Sequence, residues 1–347
     1  MSNLSLLGPA AIGAFVAMRA IANRGQSSAA RGPKPVPVDE TQGDAELAAL
    51  QRAVAATDWP TAAGILGPVR ERGDFERLTW LISGIEELGG VFLLRLPEKH
   101  PDDPLVLTVS GARHVAWAWQ ARTGARASQV TQDQFRTFHE RLRTAEEHLY
   151  AAAEADPQSA APWVFLTTAS RGLEHGHDVT RRRFEAGVRR APLHTGLHAA
   201  QLQQICRKWG GSHEEMHAFA RTARKNAPSG SGLGVLTAYA HLEHWLDLPS
   251  GQDAAYIRTP EVRAELREAA QGSVLHPAYT PTVPPYPALN AFAMAFWLAG
   301  DFASGHDLFQ RIGDHPTRFP WAYAGDPGRV FARARQDCKK GKKGKQP

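Results

Sequence analysis

The sequence predicts an all-α protein built from antiparallel helix pairs stacked as a solenoid, and three observations carry that expectation. From Thr41 onward apolar residues recur at helical spacing, and the VFLLRL stretch at residues 91–96 is the one short run with a claim to be a strand. Helix starts are marked by capping residues at several places. Pro157, Pro192 and Pro228 each close a helical stretch and lie 35 and 36 residues apart, the period of stacked helix pairs.

In chain order, residues 1–40 form an apolar segment and a flexible linker. The 15 residues from 4 to 18 (LSLLGPAAIGAFVAM) carry no charge and are followed by Arg19, Arg24, Arg31 and Lys34. A membrane helix wants ~20 apolar residues. The run is therefore marginal as an anchor, but basic residues behind it would keep the body of the protein in the cytoplasm. Residues 26–40 (QSSAARGPKPVPVDE) have the proline and small polar residues of a linker.

Residues 41–330 are the helical-repeat domain. Asp103-Pro104 and Thr259-Pro260 each pair a cap with proline at the first helical position. Thr131 with Gln134, and Ser212 with Glu215, have the spacing of a capping box, in which a hydroxyl satisfies a free amide of the first turn. Residues 276–287 (HPAYTPTVPPYP) are too proline-rich for helix and form an extended connector. Residues 331–347 are expected to be a basic disordered tail. Its lysines, Lys339, Lys340, Lys342, Lys343 and Lys345, nearly account for the formal charge of +5, so the folded part is close to neutral.

The segments before the three prolines carry a pattern. Ala145-x3-Leu149-x2-Ala152-x4-Pro157 is followed by Phe184-x2-Gly187-x4-Pro192 and by Phe219 with Ala223-x4-Pro228. Further copies occur at Asp58-Trp59-x2-Ala62-x3-Leu66-x2-Val69 and at Gly300-Asp301-Phe302-x2-Gly305-x3-Phe309-x2-Ile312. This pattern resembles a degenerate tetratricopeptide repeat. The resemblance implies that small residues let paired helices approach, large ones lock them, and the stack offers a groove to a protein or peptide. Arg171, Gln203, Arg207 and Glu243, polar residues of first helices, are the candidates to line that groove. Thr237 and His241 interrupt the pattern, standing where the register counted from Pro228 calls for apolar residues.

Residues 212–217, SHEEMH, contain H-E-x-x-H, which on a helix is the core of a zinc peptidase. In that reading His213 and His217 hold the metal and Glu214 is the base. The competing reading makes Ser212 a cap and Met216, Phe219, Ala220 and Ala223 the buried stripe, with both histidines on its solvated edge beside Arg221 and Arg224. Two guanidiniums there disfavour a divalent cation. The wider segment RKWGGSHEEMHAFAR, residues 207–221, also resembles a bacterial domain-of-unknown-function family, number 4034, of mainly helical proteins without an assigned activity. The resemblance rests on Trp209, Gly210, Gly211, Met216, Phe219 and Ala220, which together with Ser212 have turn, cap and packing roles.

Three further close pairs, His175-x-His177, His194-x3-His198 and His241-x2-His244, leave a nonproteolytic metal site open, since imidazole is the commonest transition-metal ligand. Cys206 and Cys338 are far apart, which excludes a disulfide framework and a cysteine zinc site. No phosphate-binding or dinucleotide-binding glycine loop and no nucleophile elbow is present. The leading expectation is a noncatalytic adaptor or scaffold that needs no cofactor and binds a protein or peptide. Anionic membrane contact would run through the N-terminal segment and the lysine tail, with no role for nucleic acid. The location expected is the cytoplasm, with attachment to the inner membrane by residues 4–22. The alternative is a histidine-based metal-binding hydrolase.

Overall fold

The computed structural model describes residues 32–122 and 132–343. The apolar segment at residues 4–22 and the Thr131 cap lie outside the described residues. Those that are described form helices and no strand, in two compact units.

The first unit is Asp44–Gln204. It contains α1 (Ala45–Ala55), α2 (Trp59–Glu71), α3 (Phe75–Ser83), α4 (Gly90–Lys99), α5 (Pro104–Arg122), α6 (Gln132–Ala155), α7 (Ala161–Gly172), α8 (Gly176–Val188) and α9 (Thr195–Gln204). The VFLLRL stretch is helix, a correction to the strand expectation. Its Leu93 and Leu96 are buried three residues apart on one face of α4, a helical rather than an alternating period. Helices α1, α2 and α3 each begin on an aspartate cap: Asp44, Asp58 and Asp74 accept first-turn amides at 3.1 Å. Asp44 also takes the Arg77 guanidinium and the Trp80 indole, so one carboxylate ties the start of α1 to α3.

Small and large residues ahead of the prolines are packed between helices. Ala145, Leu149 and Ala152 are fully buried. A side chain at Gly187 would collide with Leu197 at 2.5 Å, so the glycine sets how closely α8 approaches α9. Helices α6, α8 and α10 (His213–Asn226) all end shortly before their prolines.

The second unit comprises residues 32–43 and 205–343. After α10 come α11 (Val235–Asp247), α12 (Gln252–Ile257), α13 (Pro260–Gly272), α14 (Tyr286–Leu298), α15 (Phe302–Ile312), α16 (Arg318–Trp321) and α17 (Pro327–Lys343). The proline-rich connector is nonhelical up to residue 285, and its last proline, Pro287, sits in the first turn of α14, where its missing N–H costs nothing. Helix α14 is apolar around its whole circumference and is buried from Leu289 to Phe296. Against it and α15 stands an aromatic cluster in which Trp321 lies 5.9 Å from Phe309 and 5.5 Å from Phe331.

Two expected boundaries need correction. Residues 331–343 are the body of α17 rather than a disordered tail, because Phe331, Ala334 and Cys338 recur at helical spacing and are buried. Lys339, Lys340 and Lys342 are exposed on it, and Lys342 reaches Asp307 at 2.7 Å. The linker is likewise taken into the fold from Val36 onward. Val36 is buried with its amide on the Gly328 carbonyl at 3.3 Å, and Glu40 pairs with Arg318.

Phe331→Ala should therefore lower unfolding stability by ~3 kcal/mol or more, the usual cost of emptying a buried aromatic site. Urea denaturation unchanged by the substitution would contradict the packing of α17.

Candidate functional site

The site grows from the turn that starts α10. Cys206 leads into a short 3-10 turn at Arg207–Trp209, and Gly210 follows in the left-handed region at φ 92°. Gly211 is needed for a different reason than Gly210. Its φ is not positive, but a side chain there would fall 2.0 Å from the Ile205 carbonyl oxygen. Ser212 then caps α10, its hydroxyl accepting the Glu215 amide at 3.0 Å, which is the hydroxyl half of the capping box.

Beyond the cap, the histidines part company with both sequence readings. His217 is only 8% exposed and is more buried than Phe219, so it is no solvated edge. The reason lies on α11 and α12, which offer polar groups to it. Its Nε2 lies 3.1 Å from His244 Nδ1 and 3.1 Å from the Tyr256 hydroxyl. His213 turns elsewhere, stacking on His244 with ring centroids 3.8 Å apart and its Nε2 at 3.1 Å from the Asp247 carboxylate. Glu214 is exposed. Both histidines of H-E-x-x-H thus meet His244, His213 with its ring face and His217 with its Nε2. The partner nitrogen of His217 belongs to His244.

The cluster continues inward. Tyr256 also contacts His241 Nδ1 at 2.7 Å, and His241 Nε2 faces Glu265 at 3.3 Å. Glu265 in turn receives the Arg221 guanidinium through two hydrogen bonds of 2.7 and 2.9 Å. Arg224 pairs with Glu268 at 2.8 Å. Both guanidinium charges that stood against a cation are therefore balanced by carboxylates.

Electrostatics follow from this geometry. Burial, with His241 and His244 beside it, holds the His217 imidazole down to about 3. Burial and the neighbouring His213 and His241 bring His244 to about 4. Contact with His241 and Arg221 keeps the Glu265 carboxyl well below the usual range, against the effect of burial. Burial and the nearby Glu265 raise the Tyr256 phenol. At neutral pH His217 and His244 are therefore uncharged, beside a protonated Tyr256 phenol and an ionised Glu265 carboxylate.

The four expected groove residues have mostly interior roles. Arg171 is buried, its guanidinium 5.6 Å from the Trp119 ring centre, and Gln203 is buried in α9. Glu243 is buried on α11, holding Lys208 at 2.6 Å and the Tyr323 hydroxyl at 2.6 Å. Arg207 alone of the four is exposed, and it pairs with Asp247 at 3.2 Å. For Arg171 and Glu243 the physical reason is that a polar residue on the inner face of a packed helix finds a partner elsewhere in the fold and leaves solvent.

The other histidine pairs serve packing within the first unit. His194 Nε2 meets the Thr79 hydroxyl at 3.0 Å, His198 stands edge-on to Phe184, and His175 faces Glu146 at 2.9 Å. Sequence reasoning missed Tyr256, Glu265 and Asp247, which share no motif with the histidines. It also missed a first-unit group in which buried Glu86, pushed up by burial and by Glu87, lies near Arg113, with His114 and His148 edge to face at 5.4 Å. Among the described residues, no three histidine, cysteine, aspartate or glutamate side chains converge to hold a metal ion.

No family model matches the chain, and no curated protein matches it.

Two outcomes follow. Ser212→Ala should cost ~1 kcal/mol through the lost cap. Ser304→Ala should cost less, because Asp301 caps α15 and also keeps Arg267; equal losses in chemical denaturation would contradict the assigned cap. The second concerns acid. The unfolded imidazoles take protons below their ordinary 6.5 while the folded ones resist until about 4 for His244 and about 3 for His217. Stability present above pH 6.5 should fall as pH drops through that window, and His244→Gln should flatten the fall. Parallel pH profiles for wild type and variant would contradict the burial of neutral imidazoles.

Proposed function

We propose that the chain is a noncatalytic helical-repeat adaptor that binds a protein or peptide partner. The observation that carries the reading is the use made of the polar residues. The histidines of H-E-x-x-H are spent on contacts between α10, α11 and α12, His213 laying its ring face on His244 and His217 turning its Nε2 to His244 and Tyr256, while Glu214 is exposed, so the pair and Glu214 do not assemble around one reaction centre. The rest of the described chain is helix on helix, the architecture of proteins whose work is done by their surfaces. Kinship with tetratricopeptide-like repeats arranged as a solenoid, and with the bacterial family numbered 4034, is part of the proposal. So is a cytoplasmic location with attachment to the inner membrane through residues 4–22. Among the described residues, no helix is long and apolar enough to cross a membrane.

The groove residues being largely interior, the surface offered to a partner is sought elsewhere. In the first unit Leu88 and Val91 are 53% and 59% exposed at the turn into α4, on either side of Gly89 and Gly90. Large apolar side chains held in water favour a partner with an apolar face.

In cross-linked pull-downs of the full chain, Leu88→Asp with Val91→Asp should reduce partner capture at least tenfold and leave the melting temperature unchanged. Zinc-dependent peptide hydrolysis by the purified chain, abolished by Glu214→Gln, would overturn the adaptor reading.

A further inference from the structure

Helix α17 gathers seven basic residues against one acid, Asp337, and so holds more positive charge than the whole chain's net +5. Packing decides where that charge points. Phe331, Ala334 and Cys338 are buried. A turn of about 3.6 residues then sets Arg329, Arg333, Gln336 and Lys340, spaced four, three and four apart, on the opposite side. All four are exposed, with Lys339 beside them. They make a row about 16 Å long, at ~1.5 Å of rise per residue. The acids that could silence it are engaged at its margins. Asp314 receives Arg335 at 2.8 Å, Asp307 receives Lys342 at 2.7 Å, and Asp326 caps the first turn through the Arg329 amide at 2.9 Å. Within the row Arg333 stands 3.9 Å from Asp337, an exposed contact that water screens. The side chains of Arg329, Lys339 and Lys340 have no acidic partner among the described residues.

We propose that this face of α17 docks on an anionic lipid bilayer and seats the second unit against it. Opposite charge supplies the attraction, and the chain itself favours a bilayer over a nucleic acid. The linker that follows the apolar run of residues 4–18 enters the fold on the first turn of α17. Val36 gives its amide to the Gly328 carbonyl at 3.3 Å, and a side chain at Gly328 would stand 2.3 Å from the Val36 carbonyl oxygen. A bilayer that takes up the apolar run is thereby tethered to the end of the helix where the basic row begins. A marginal apolar segment and a polybasic face are each weak membrane signals, and the two together make a stable attachment. A nucleic acid would use the charge and leave the apolar run idle. Among the described residues of α17, no large apolar or aromatic side chain is exposed to stack on bases. The inference rests on the membrane attachment put forward with the adaptor reading, and it adds the class of lipid and the surface of the fold that meets it.

Flotation of the full chain with vesicles of mixed phosphatidylcholine and phosphatidylglycerol, against phosphatidylcholine alone, is the test. The mixed vesicles should bind at least tenfold more tightly at low salt, and the preference should shrink as salt screens the charges. Reversing the row with Arg329→Glu, Arg333→Glu and Lys340→Glu should abolish the preference. The same change of charge at Arg72, Arg182 and Arg189, exposed in the first unit, should leave binding within twofold of wild type. Circular dichroism checks that both triple variants fold; should the reversed row unfold the chain, Arg329→Gln with Lys340→Gln should still weaken binding to mixed vesicles at least threefold. Ile12→Asp with Phe15→Asp should weaken binding to both kinds of vesicle and spare the preference. Unchanged binding in that pair, with the preference still lost in the reversed row, would remove the attachment at residues 4–22 and support α17. Preference retained by the reversed row, equal loss in the first-unit control, or tighter binding to a DNA duplex than to mixed vesicles at the same salt would overturn the inference.

Discussion

Helix α11 is enclosed from Val235 to Glu243 and again at Trp245, yet it carries His241 and Glu243 inside. A buried polar group without a partner costs more than a typical hydrogen bond returns. The surrounding helices are therefore obliged to bring partners to this one. Tyr256 and Glu265 come from α12 and α13 for His241, Lys208 and Tyr323 come from the two ends of the unit for Glu243, and α10 lays His213 and His217 across His244. The register of the second unit follows from meeting these demands together. An aliphatic α11 would pack as tightly but would choose its neighbours less strictly.

The first unit applies the same logic with ion pairs. Arg183 on α8 is buried, and it reaches Glu146 of α6 at 2.5 Å while also donating to the Ser170 hydroxyl and the Leu166 carbonyl of α7. One planar fork thus joins three helices. Removing one member of such a set leaves the others buried and unmatched, so the contribution of Arg183 is to specificity of packing as much as to stability.

The local signals were legible because they depend on neighbours in sequence. Ser212, Asp103 and Thr259 cap the helices they precede, and the prolines after α6, α8 and α10 stand where those helices stop. Even the two misfits were informative. Thr237 and His241 occupied positions that the repeat register reserves for the interior, and both are buried. Burial at these positions goes with polar side chains, so the chemistry of the interior is unusual. What sequence could not supply was the direction of polar side chains. Helical periodicity counts a histidine or glutamate as solvent-facing, whereas His217, Arg171, Gln203 and Glu243 are polar and buried because their partners lie on other helices. Tyr256 and Glu265 are tied to His241 by folding alone. In α17 the lysines hid an apolar stripe of only three residues.

The closing helix has a practical consequence through its thiol. Cys338 lies beneath α15 beside Gly305, and burial pushes its ionisation up to about 12, while Cys206 is buried against the Met216 sulfur at 3.3 Å. Neither sulfur meets an oxidant or an alkylating reagent while the helices are closed, and Cys338 lacks the thiolate character that makes a cysteine reactive. Chemical labelling of these two positions consequently proceeds only through openings of the fold. The chain thus contains its own pair of clocks, one reporting how often the last helix lifts from the core and the other how often the turn before α10 comes apart.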